Sequence, residues 1–427
     1  MPVPQARFHA PGSAEARLRR RQLPPAREAA RLEARPSGNA RAASPGAHAG
    51  DALDSRAAER SYLVPIESLC VVGLGNIGSQ FVPFLARLPG LRQVLLVDRD
   101  RYEVTNLDSQ AIGPKDVGRP KALVQALRLR RLNPNLQVEL FVGDLGSLPA
   151  GRLGGSLVAG CLDSIGSRAR LGELAWRAGA PFLDAGVNPE AGLVRVTCFV
   201  PGPGRACFAC GLNDRDYAAM GAVQPCSGLV ASAPSGASLA LGGLAAAWLA
   251  LECERRLRAG PKPGDAGRET LLEVRSGRLL ITQRRRNPAC RFDHRTWRLT
   301  PSRGLRPSTT LEEALRLAGR WLRAPAAAGL RLPGLRLAKA LHCAACGAMF
   351  ERFRILDRSA AARCPRCRRG LPMAVGFKLV DRLDRHLPRP LLRRTLSELG
   401  VQAGDVFAVE VGHRVRHWVV PEDWQQS

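Results

Sequence analysis

Short apolar runs alternate with amphipathic stretches over residues 69–184 of this 427-residue chain. Five runs rich in β-branched or apolar residues predict strands, and three stretches between them have apolar side chains at helical spacing. The predicted strands are 69–72, 94–97, 138–141, 157–159 and 182–183, and the predicted helices are 77–88, 119–132 and 167–178. This rhythm predicts an α/β fold with a mostly parallel sheet and helices on both faces. In such folds ligands bind at the carboxyl ends of the strands.

The pattern changes after Asp184. Residues 192–200 predict antiparallel strands, and residues 271–274 and 279–282 predict two further strands. A long apolar helix is expected at 235–258. A further helix is predicted at 310–322, capped by Thr309 or Thr310, with Glu312 and Glu313 in its first turn. The last segment, 391–420, predicts a short helix, a turn at 400–404 and two strands.

These elements divide the chain into five segments. Residues 1–58 are rich in Ala, Arg, Pro, Ser and Gly and are predicted to be disordered, because they contain few large apolar side chains. Residues 59–300 form the α/β domain, 301–340 a helix and linker, and 371–427 a small α+β module. A zinc ribbon is predicted at 341–370, between the linker and the small α+β module.

A glycine-rich loop follows the first predicted strand and leads into a helix. Gly73, Gly75 and Gly78 form a GxGxxG pattern, which lets backbone amides approach a phosphate group at a helix N-terminus. Asp98 ends the next strand, where it can bind ribose hydroxyls. This Rossmann-like signal is generic and by itself is typical of NAD(P)-dependent oxidoreductases.

Further motifs narrow this interpretation. Asp98 and Asp100 form a DxD pattern, Asn106 to Gln110 an NLxxQ pattern, and Lys121 ends a VGxxK turn; Cys161-Leu-Asp163-Ser164 with Arg168 follows at a later strand. In this order the motifs resemble the ThiF/MoeB/HesA/ubiquitin-activating superfamily over about residues 65–295.

The resemblance implies an adenylyltransferase that uses ATP and Mg²⁺. Its substrate would be the C-terminal carboxylate of a small ubiquitin-like β-grasp protein. By the family pattern Lys121 clamps phosphate, Asp163 holds Mg²⁺, Asp98 binds ribose and Asn106 positions the triphosphate. The charge that develops on a transferring phosphate explains the need for a cation and a metal. The family also implies a homodimer.

One position departs from the family pattern. The family commonly has an arginine just before the glutamine of its NLxxQ element, whereas this chain has Ser109 before Gln110. Arg119, Arg168 or a residue of a second subunit could replace the missing cation. The departure also fits a catalytically weak scaffold that binds a partner. Two alternatives to the adenylyltransferase therefore remain, this scaffold and the oxidoreductase.

The cysteines predict two zinc sites, since paired cysteines in a reducing cytosol favour metal over disulfides. The first combines a CxxC pair with a CxxxH pair, Cys207, Cys210, Cys290 and His294, where the family usually has a second CxxC. The second has two CxxC pairs with ribbon spacing, Cys343, Cys346, Cys364 and Cys367.

Cys226 precedes the long apolar helix in a Pro/Ser/Gly loop. By position it matches the cysteine with which many family members form an acyl–sulfur link to the activated protein. A loop cysteine without chemistry is the alternative.

The net charge of +27 can attract nucleic acid, acidic lipid or an acidic protein. The basic residues are spread along the chain and it has only three tyrosines, so a nucleic acid is not the expected partner, although it is not excluded. An acidic protein explains the charge equally well. The apolar stretch 237–251 is too short to span a bilayer. A cytoplasmic protein is therefore expected.

Overall fold

The computed structural model describes residues 66–221, 238–260, 262–323, 328–343, 345–355, 358, 363–369, 379–380, 382–412 and 414–421. The predictions for residues 1–58 and for Cys226 lie outside the described residues and stay predictions.

The largest element is an eight-stranded sheet. Its strands are β1 Ser68–Val72, β2 Gln93–Asp98, β3 Gln137–Val142, β4 Leu157–Gly160, β5 Phe182–Asn188, β6 Leu193–Phe199, β7 Arg268–Glu273 and β8 Arg278–Gln283. The order is β3-β2-β1-β4-β5-β6-β7-β8. The first five strands are parallel and the last three are antiparallel. The sequence predicts the parallel strands and the antiparallel β6, and it predicts β7 and β8 as strands without a direction. Because β1 lies between β2 and β4, the strand order reverses there, which creates a crevice at the carboxyl edge.

Helices cover both faces of this sheet. They are α1 Asn76–Leu85, α2 Lys121–Leu132, α3 Ile165–Arg177, α4 Asp214–Gly221 and α5 Leu239–Ala259. Leu69 and Val71 of β1 share one buried cluster with α1, α2 and α5, whereas Cys70 and Val72 share another with α3. Alternate side chains of a strand point to opposite faces, so β1 is buried on both sides. The helices on both faces confirm the predicted layers.

Helix α5 matches the predicted long apolar helix. Ser238 caps its N-terminus by accepting a hydrogen bond from the Leu241 amide at 3.2 Å. Near its C-terminus the fully buried Arg256 pairs with Glu252 one turn earlier. None of the described helices is long and apolar enough to cross a membrane.

A second, four-stranded sheet follows in the chain. It is built from β9 Leu299–Pro301, β10 Gly329–Arg331, β14 Val406–Val411 and β15 Arg414–Val419, in the order β10-β14-β15-β9. It packs with α6 Leu311–Trp321 and α7 Arg389–Leu392 around one core. Thr310 caps α6 in a capping box with Glu313. The predicted linker segment 301–340 and the predicted module 371–427 therefore share one sheet and one core.

A three-stranded sheet carries the last four cysteines. Its strands are β11 Leu337–His342, β12 Met349–Ile355 and β13 Leu379–Val380, in the order β12-β11-β13. Short 3₁₀ helices complete the described structure, at Val104–Asn106, Pro114–Asp116, Leu145–Ser147, Ala150–Leu153, Phe208–Gly211 and Pro263–Asp265.

The four-stranded sheet contacts the α/β domain at a close approach of two glycines. The Gly151 amide donates to the Gly404 carbonyl oxygen at 2.8 Å, and a Cβ on Gly151 would lie 2.5 Å from that oxygen. Val406 and Val419 pack into the same buried cluster as Leu153 of the α/β domain. Side chains larger than glycine would force the two apart.

Candidate active site

The glycine loop joins β1 to α1 at the carboxyl edge of the sheet. Gly73 has φ of +91°, and a Cβ there would lie 2.6 Å from the Cys161 carbonyl oxygen. A Cβ on Gly78 would overlap the carbonyl of Gly73. Among the described residues no side chain caps α1, and its first turn holds no acidic residue. The amides of the first turn and the helix dipole make this end of α1 fit for an anion such as phosphate.

Asp98 ends β2 and contacts this loop directly. One carboxylate oxygen accepts a hydrogen bond from the Leu74 amide at 2.6 Å, and the other from the Asp100 amide at 2.8 Å. Burial raises the pKa of Asp98 above its ordinary value, while the two amide hydrogen bonds oppose that rise. The carboxylate is thereby fixed at the edge of the sheet.

Lys121, the first residue of α2, is almost fully buried at 8% exposure. Its Nζ atom lies 3.7 Å from the Asp100 carboxylate and 5.6 Å from the centre of the Tyr102 ring. The Tyr102 hydroxyl donates to the Leu74 carbonyl oxygen at 2.9 Å and accepts from Gln125 at 2.8 Å. An exposed first-turn lysine would have no such surroundings, so this ammonium group is held in place beside the glycine loop.

Asn106 and Gln110 belong to the segment that follows Asp100. The Asn106 side-chain oxygen accepts from the Glu103 amide at 3.0 Å. The Gln110 side-chain nitrogen lies 4.0 Å from the place where a Cβ of Gly75 would be. Its buried oxygen has no hydrogen-bond partner within the described ranges. A buried oxygen without a donor, so close to the glycine loop, fits a site that a ligand completes.

Asp163 follows β4 and stands at the rim of a cavity of about 470 Å³. The loop that carries it touches Gly73 through Cys161. In the cavity wall Arg168 donates to both carboxylate oxygens of Asp184, at 3.1 and 3.2 Å, and Arg195 donates to the same group at 3.0 Å. Asp184 is fully buried. One carboxylate thus orients two guanidinium groups beside the cavity.

The cavity lining includes a third arginine. Arg284 donates to the Glu269 carboxylate at 2.7 Å, and Thr197 donates to the same carboxylate at 2.9 Å. The lining also includes apolar side chains, such as Phe199 and Phe208, and the polar Asn188 and Asp216. Such a cavity can take an extended chain segment that ends in a carboxylate.

The eight predicted metal ligands form two clusters. In the first, Cys207 Sγ lies 3.8 Å from both Cys210 Sγ and Cys290 Sγ, and Cys210 Sγ lies 3.2 Å from His294 Nε2. The second has Sγ–Sγ distances of 3.6 Å for Cys343 with Cys367 and 3.7 Å for Cys346 with Cys364. Tetrahedral thiolates on a zinc ion stand about 3.8 Å apart. All of these cysteines are free thiols, which argues against disulfides.

A protein-family model described as the ThiF family matches residues 66–291, which is more than half of the chain. The chain belongs to the ThiF family. The match spans the glycine loop, the cavity and the three cysteines of the Cys207 cluster, and ends before His294. It confirms the resemblance that the sequence motifs indicated.

Curated relatives of this ThiF-family chain include two activating enzymes. It is 29% identical to ubiquitin-like modifier-activating enzyme 5 of Dictyostelium discoideum over 34% of this chain and 41% of that protein. It is 31% identical to the NEDD8-activating enzyme E1 catalytic subunit of Saccharomyces cerevisiae over 34% of this chain and 51% of that protein. The chain thus spans about half or less of the length of these relatives.

Solved structures of E. coli MccB are also similar to this ThiF-family chain. The structure of MccB with ATP has a TM-score of 0.43 and 18% identity, and covers 55% of this chain and 67% of that one. MccB in complex with N-formylated MccA has a TM-score of 0.43 and 18% identity, covering 55% and 69%.

The structure gathers most of the predicted ThiF-family site residues. The glycines, Asp98, Asp100, Gln110 and Lys121 form one connected group, in which Asn106 lies on the same segment as Gln110. Asp163 stands apart at the cavity rim and is exposed.

The site residues that the sequence did not predict include Tyr102, Asp184 and Arg195. The sequence contains a signal for Asp184, because an acidic residue inside an apolar strand needs a buried partner. It contains no signal for Tyr102 and Arg195, since their contacts come from segments distant in sequence.

Ser109 replaces the arginine that is common in the ThiF family, and its carbonyl oxygen accepts from Asn76 at 2.6 Å. Of the two candidate replacements in this chain, Arg168 is already engaged by Asp184. Arg119 has a looser contact, 3.8 Å from Asp116, and its side chain is 42% exposed. Arg119 is therefore the better placed of the two to move toward a phosphate.

Proposed function

We propose that this ThiF-family protein uses ATP to adenylate the C-terminal carboxylate of a small ubiquitin-like protein. The observation that carries the proposal is the buried ammonium group of Lys121 beside the uncapped start of α1. Together they offer positive charge for a triphosphate. Hydride transfer to or from a nicotinamide requires no such lysine, which disfavours the oxidoreductase.

The reaction joins a carboxylate oxygen of the partner to the α-phosphorus of ATP and breaks the bond from that phosphorus to the bridging oxygen. Pyrophosphate leaves with the electron pair of the broken bond. Lys121 and the amides of α1 stabilise the negative charge on the phosphates, and Asn106 positions them. Asp98, whose oxygens retain free lone pairs, accepts from the ribose hydroxyls. Asp163 offers the carboxylate that a Mg²⁺ ion prefers, and the ion would supply further charge neutralisation.

The partner's tail would occupy the cavity bounded by Asp163 and Arg168. Arg168 and Arg195 attract the terminal carboxylate as it enters, and the apolar walls hold the chain behind it. Gly186 keeps this wall open, because a Cβ there would lie 2.5 Å from the Arg168 guanidinium. A flexible tail without bulky side chains, such as one that ends in glycine, suits the space. The two relatives described above are both activating enzymes, which supports this class of partner, and the family pattern supports a homodimer.

Cys226 is proposed to receive the acyl group from the adenylate, releasing AMP and forming a thioester. The Cys226→Ser variant should keep the first half-reaction and lose any reductant-sensitive adduct with the partner. A non-reducing gel with ATP and partner tests this, and an undiminished adduct in the variant would exclude the role.

Both clusters are proposed to hold structural zinc. Their Sγ–Sγ distances and the choice of thiolates with one imidazole fit tetrahedral Zn²⁺. Bound zinc would fix the segment around Cys290 to the loop at Cys207. In the second cluster it would hold together the two CxxC turns of residues 337–380, which we call the cysteine module.

Trapping of the activated carboxylate tests the adenylation directly. Full-length protein is incubated with ATP, Mg²⁺, hydroxylamine and a panel of small proteins that end in glycine, and the partners are analysed by mass spectrometry. The proposal expects an ATP-dependent C-terminal hydroxamate on one partner, absent when its last glycine is deleted. A partner that binds tightly and yields no hydroxamate would instead favour the weak scaffold that Ser109 suggests.

A further inference from the structure

The cysteine module has a strongly basic turn that the proposed adenylation does not use. Residues 337–380 contain nine Lys and Arg against two Asp and Glu. Four of these arginines lie within seven residues around Cys364 and Cys367, and all four are exposed: Arg363, Arg366, Arg368 and Arg369. We call this segment, residues 363–369, the arginine turn.

The backbone of the arginine turn is well fixed. The Cys364 amide donates to the Arg369 carbonyl oxygen at 2.8 Å, and the Arg368 amide donates to the Cys364 carbonyl oxygen at 2.8 Å. The Cys364 and Cys367 thiols belong to the second cysteine cluster. The four guanidinium groups therefore project from a rigid base, which lowers the entropy cost of binding.

Arg368 occupies a backbone conformation that favours glycine. Its φ is +60°, and the equivalent residue of the first CxxC turn, Gly347, has φ of +69°. An arginine in this left-handed region is strained, whereas glycine is not. Glycine at position 368 would be more favourable for the stability of the fold. The arginine side chain therefore has a function other than stabilising the fold.

The charge of the turn exceeds what the cysteine cluster requires. Four thiolates around one Zn²⁺ carry a net charge of about −2, which four guanidinium groups more than offset. None of the four forms a salt bridge with a carboxylate in the part of the chain that the structure describes. The turn thus presents uncompensated positive charge to an external partner.

Arginine binds phosphate and carboxylate groups equally well through its planar fork, so the surroundings must distinguish the partner. Apart from the arginines, the exposed side chain of the turn is Pro365. The centres of stable protein interfaces are enriched in large apolar and aromatic side chains, and this turn has none. Contacts with a phosphate backbone need only the cations.

We infer that the arginine turn binds the phosphate backbone of a nucleic acid independently of base sequence. The concentrated, unpaired charge on this turn outweighs the even spread of basic residues along the sequence, which argues against a nucleic acid. The inference does not depend on the proposed adenylation.

Fluorescence anisotropy of the full chain with a labelled single-stranded RNA of about 20 nucleotides tests the inference. The test variant combines Arg366→Gln, Arg368→Gln and Arg369→Gln. We expect its affinity at low salt to fall at least about tenfold and its salt dependence, the slope of log K against log salt, to become shallower by roughly 2.

The matched control variant removes three exposed arginines outside the module, Arg131→Gln, Arg278→Gln and Arg303→Gln. It makes the same change in net charge and should keep the wild-type affinity within about twofold. Equal losses in the two variants, or no RNA binding by the wild type at low salt, would overturn the inference. Displacement of the RNA by polyglutamate as effective as displacement by unlabelled RNA would also overturn it, in favour of an acidic protein. Zinc content measured for each variant confirms that the module is intact.

Discussion

At the scale of single residues, Asp184 is the clearest case of a group whose role follows from its surroundings. A fully buried carboxylate is unfavourable unless it is paired, and here it pairs with Arg168 and Arg195. Both cations face the proposed tail cavity. The Asp184 side chain therefore contributes both to the stability of the fold and to the proposed binding of the substrate tail.

We predict that Asp184→Asn lowers the free energy of unfolding by about 3 kcal/mol, because it leaves two partly buried guanidinium groups without their counter-ion. Urea denaturation followed by circular dichroism measures the loss. The control is Asp163→Asn at the exposed cavity rim, which should change stability by less than about 0.5 kcal/mol. Equal stabilities of the two variants would contradict the role given to Asp184.

Arg368→Gly should raise the free energy of unfolding by about 0.5–1 kcal/mol, since glycine adopts a positive φ without strain. Thermal or urea denaturation of the zinc-loaded protein measures the gain. Arg366→Gly, at a neighbouring exposed position for which no strain is proposed, should not raise it. A loss of stability in Arg368→Gly would show that the arginine serves the fold.

At the scale of elements, the sequence predicted the parallel strands well because their patterns are local. Leu69 to Val72 is apolar at every position, and such a run is expected for a strand buried on both faces. The capped helix α6 and the antiparallel strands β6, β7 and β8 also follow from patterns within their own segments.

The three-residue strands β9 and β10 could not be predicted. Each is short, and its partner lies far along the chain: β9 pairs with β15, and β10 with β14. A short run with a distant partner leaves no local periodicity. The same reason explains why Tyr102 was missed in the candidate site, since its hydroxyl contacts Leu74 and Gln125 from other elements.

Two zinc ions per chain are expected, one for each cysteine cluster. Cys290→Ser should remove one ion and Cys343→Ser the other, because each variant leaves its cluster with three ligands. Metal analysis of protein purified without added metal measures both. Loss of both ions from either single variant, or of none, would contradict two independent sites; the buried Cys70→Ser, outside both clusters, is the control.

At the scale of the whole molecule, specific packing and hydrogen-bond contacts join the α/β domain to the four-stranded sheet. Besides the glycine pair at Gly151 and Gly404, the His417 ring stacks on Trp297, with ring centres 5.2 Å apart and planes at 15°. The Trp297 amide donates to the Arg177 carbonyl oxygen of α3 at 2.6 Å. The two parts should therefore unfold together.

His417 should make this contact sensitive to acid. Burial, and then the charge of Arg177, lower the pKa of His417 from 6.5 to about 4. Between these values the unfolded chain binds a proton that the folded chain does not, so stability falls as pH drops from about 6.5 toward 4. We predict that His417→Phe, which keeps a stacked ring without titrating, shows a smaller fall in Tm over this range. A parallel fall in variant and wild type would contradict the prediction; the exposed His386→Phe is the control.

The measurement that tests the central claim most directly is ATP–pyrophosphate exchange by the full chain with a glycine-ending small protein as acceptor. Lys121→Ala should reduce the rate at least about 100-fold, because the buried ammonium group stabilises charge on the transferring phosphate. The exposed Lys115→Ala, six residues before the start of α2, should keep the wild-type rate within about twofold. Circular dichroism should show both variants folded. Exchange at the wild-type rate in folded Lys121→Ala would contradict the adenylation site proposed for this ThiF-family protein.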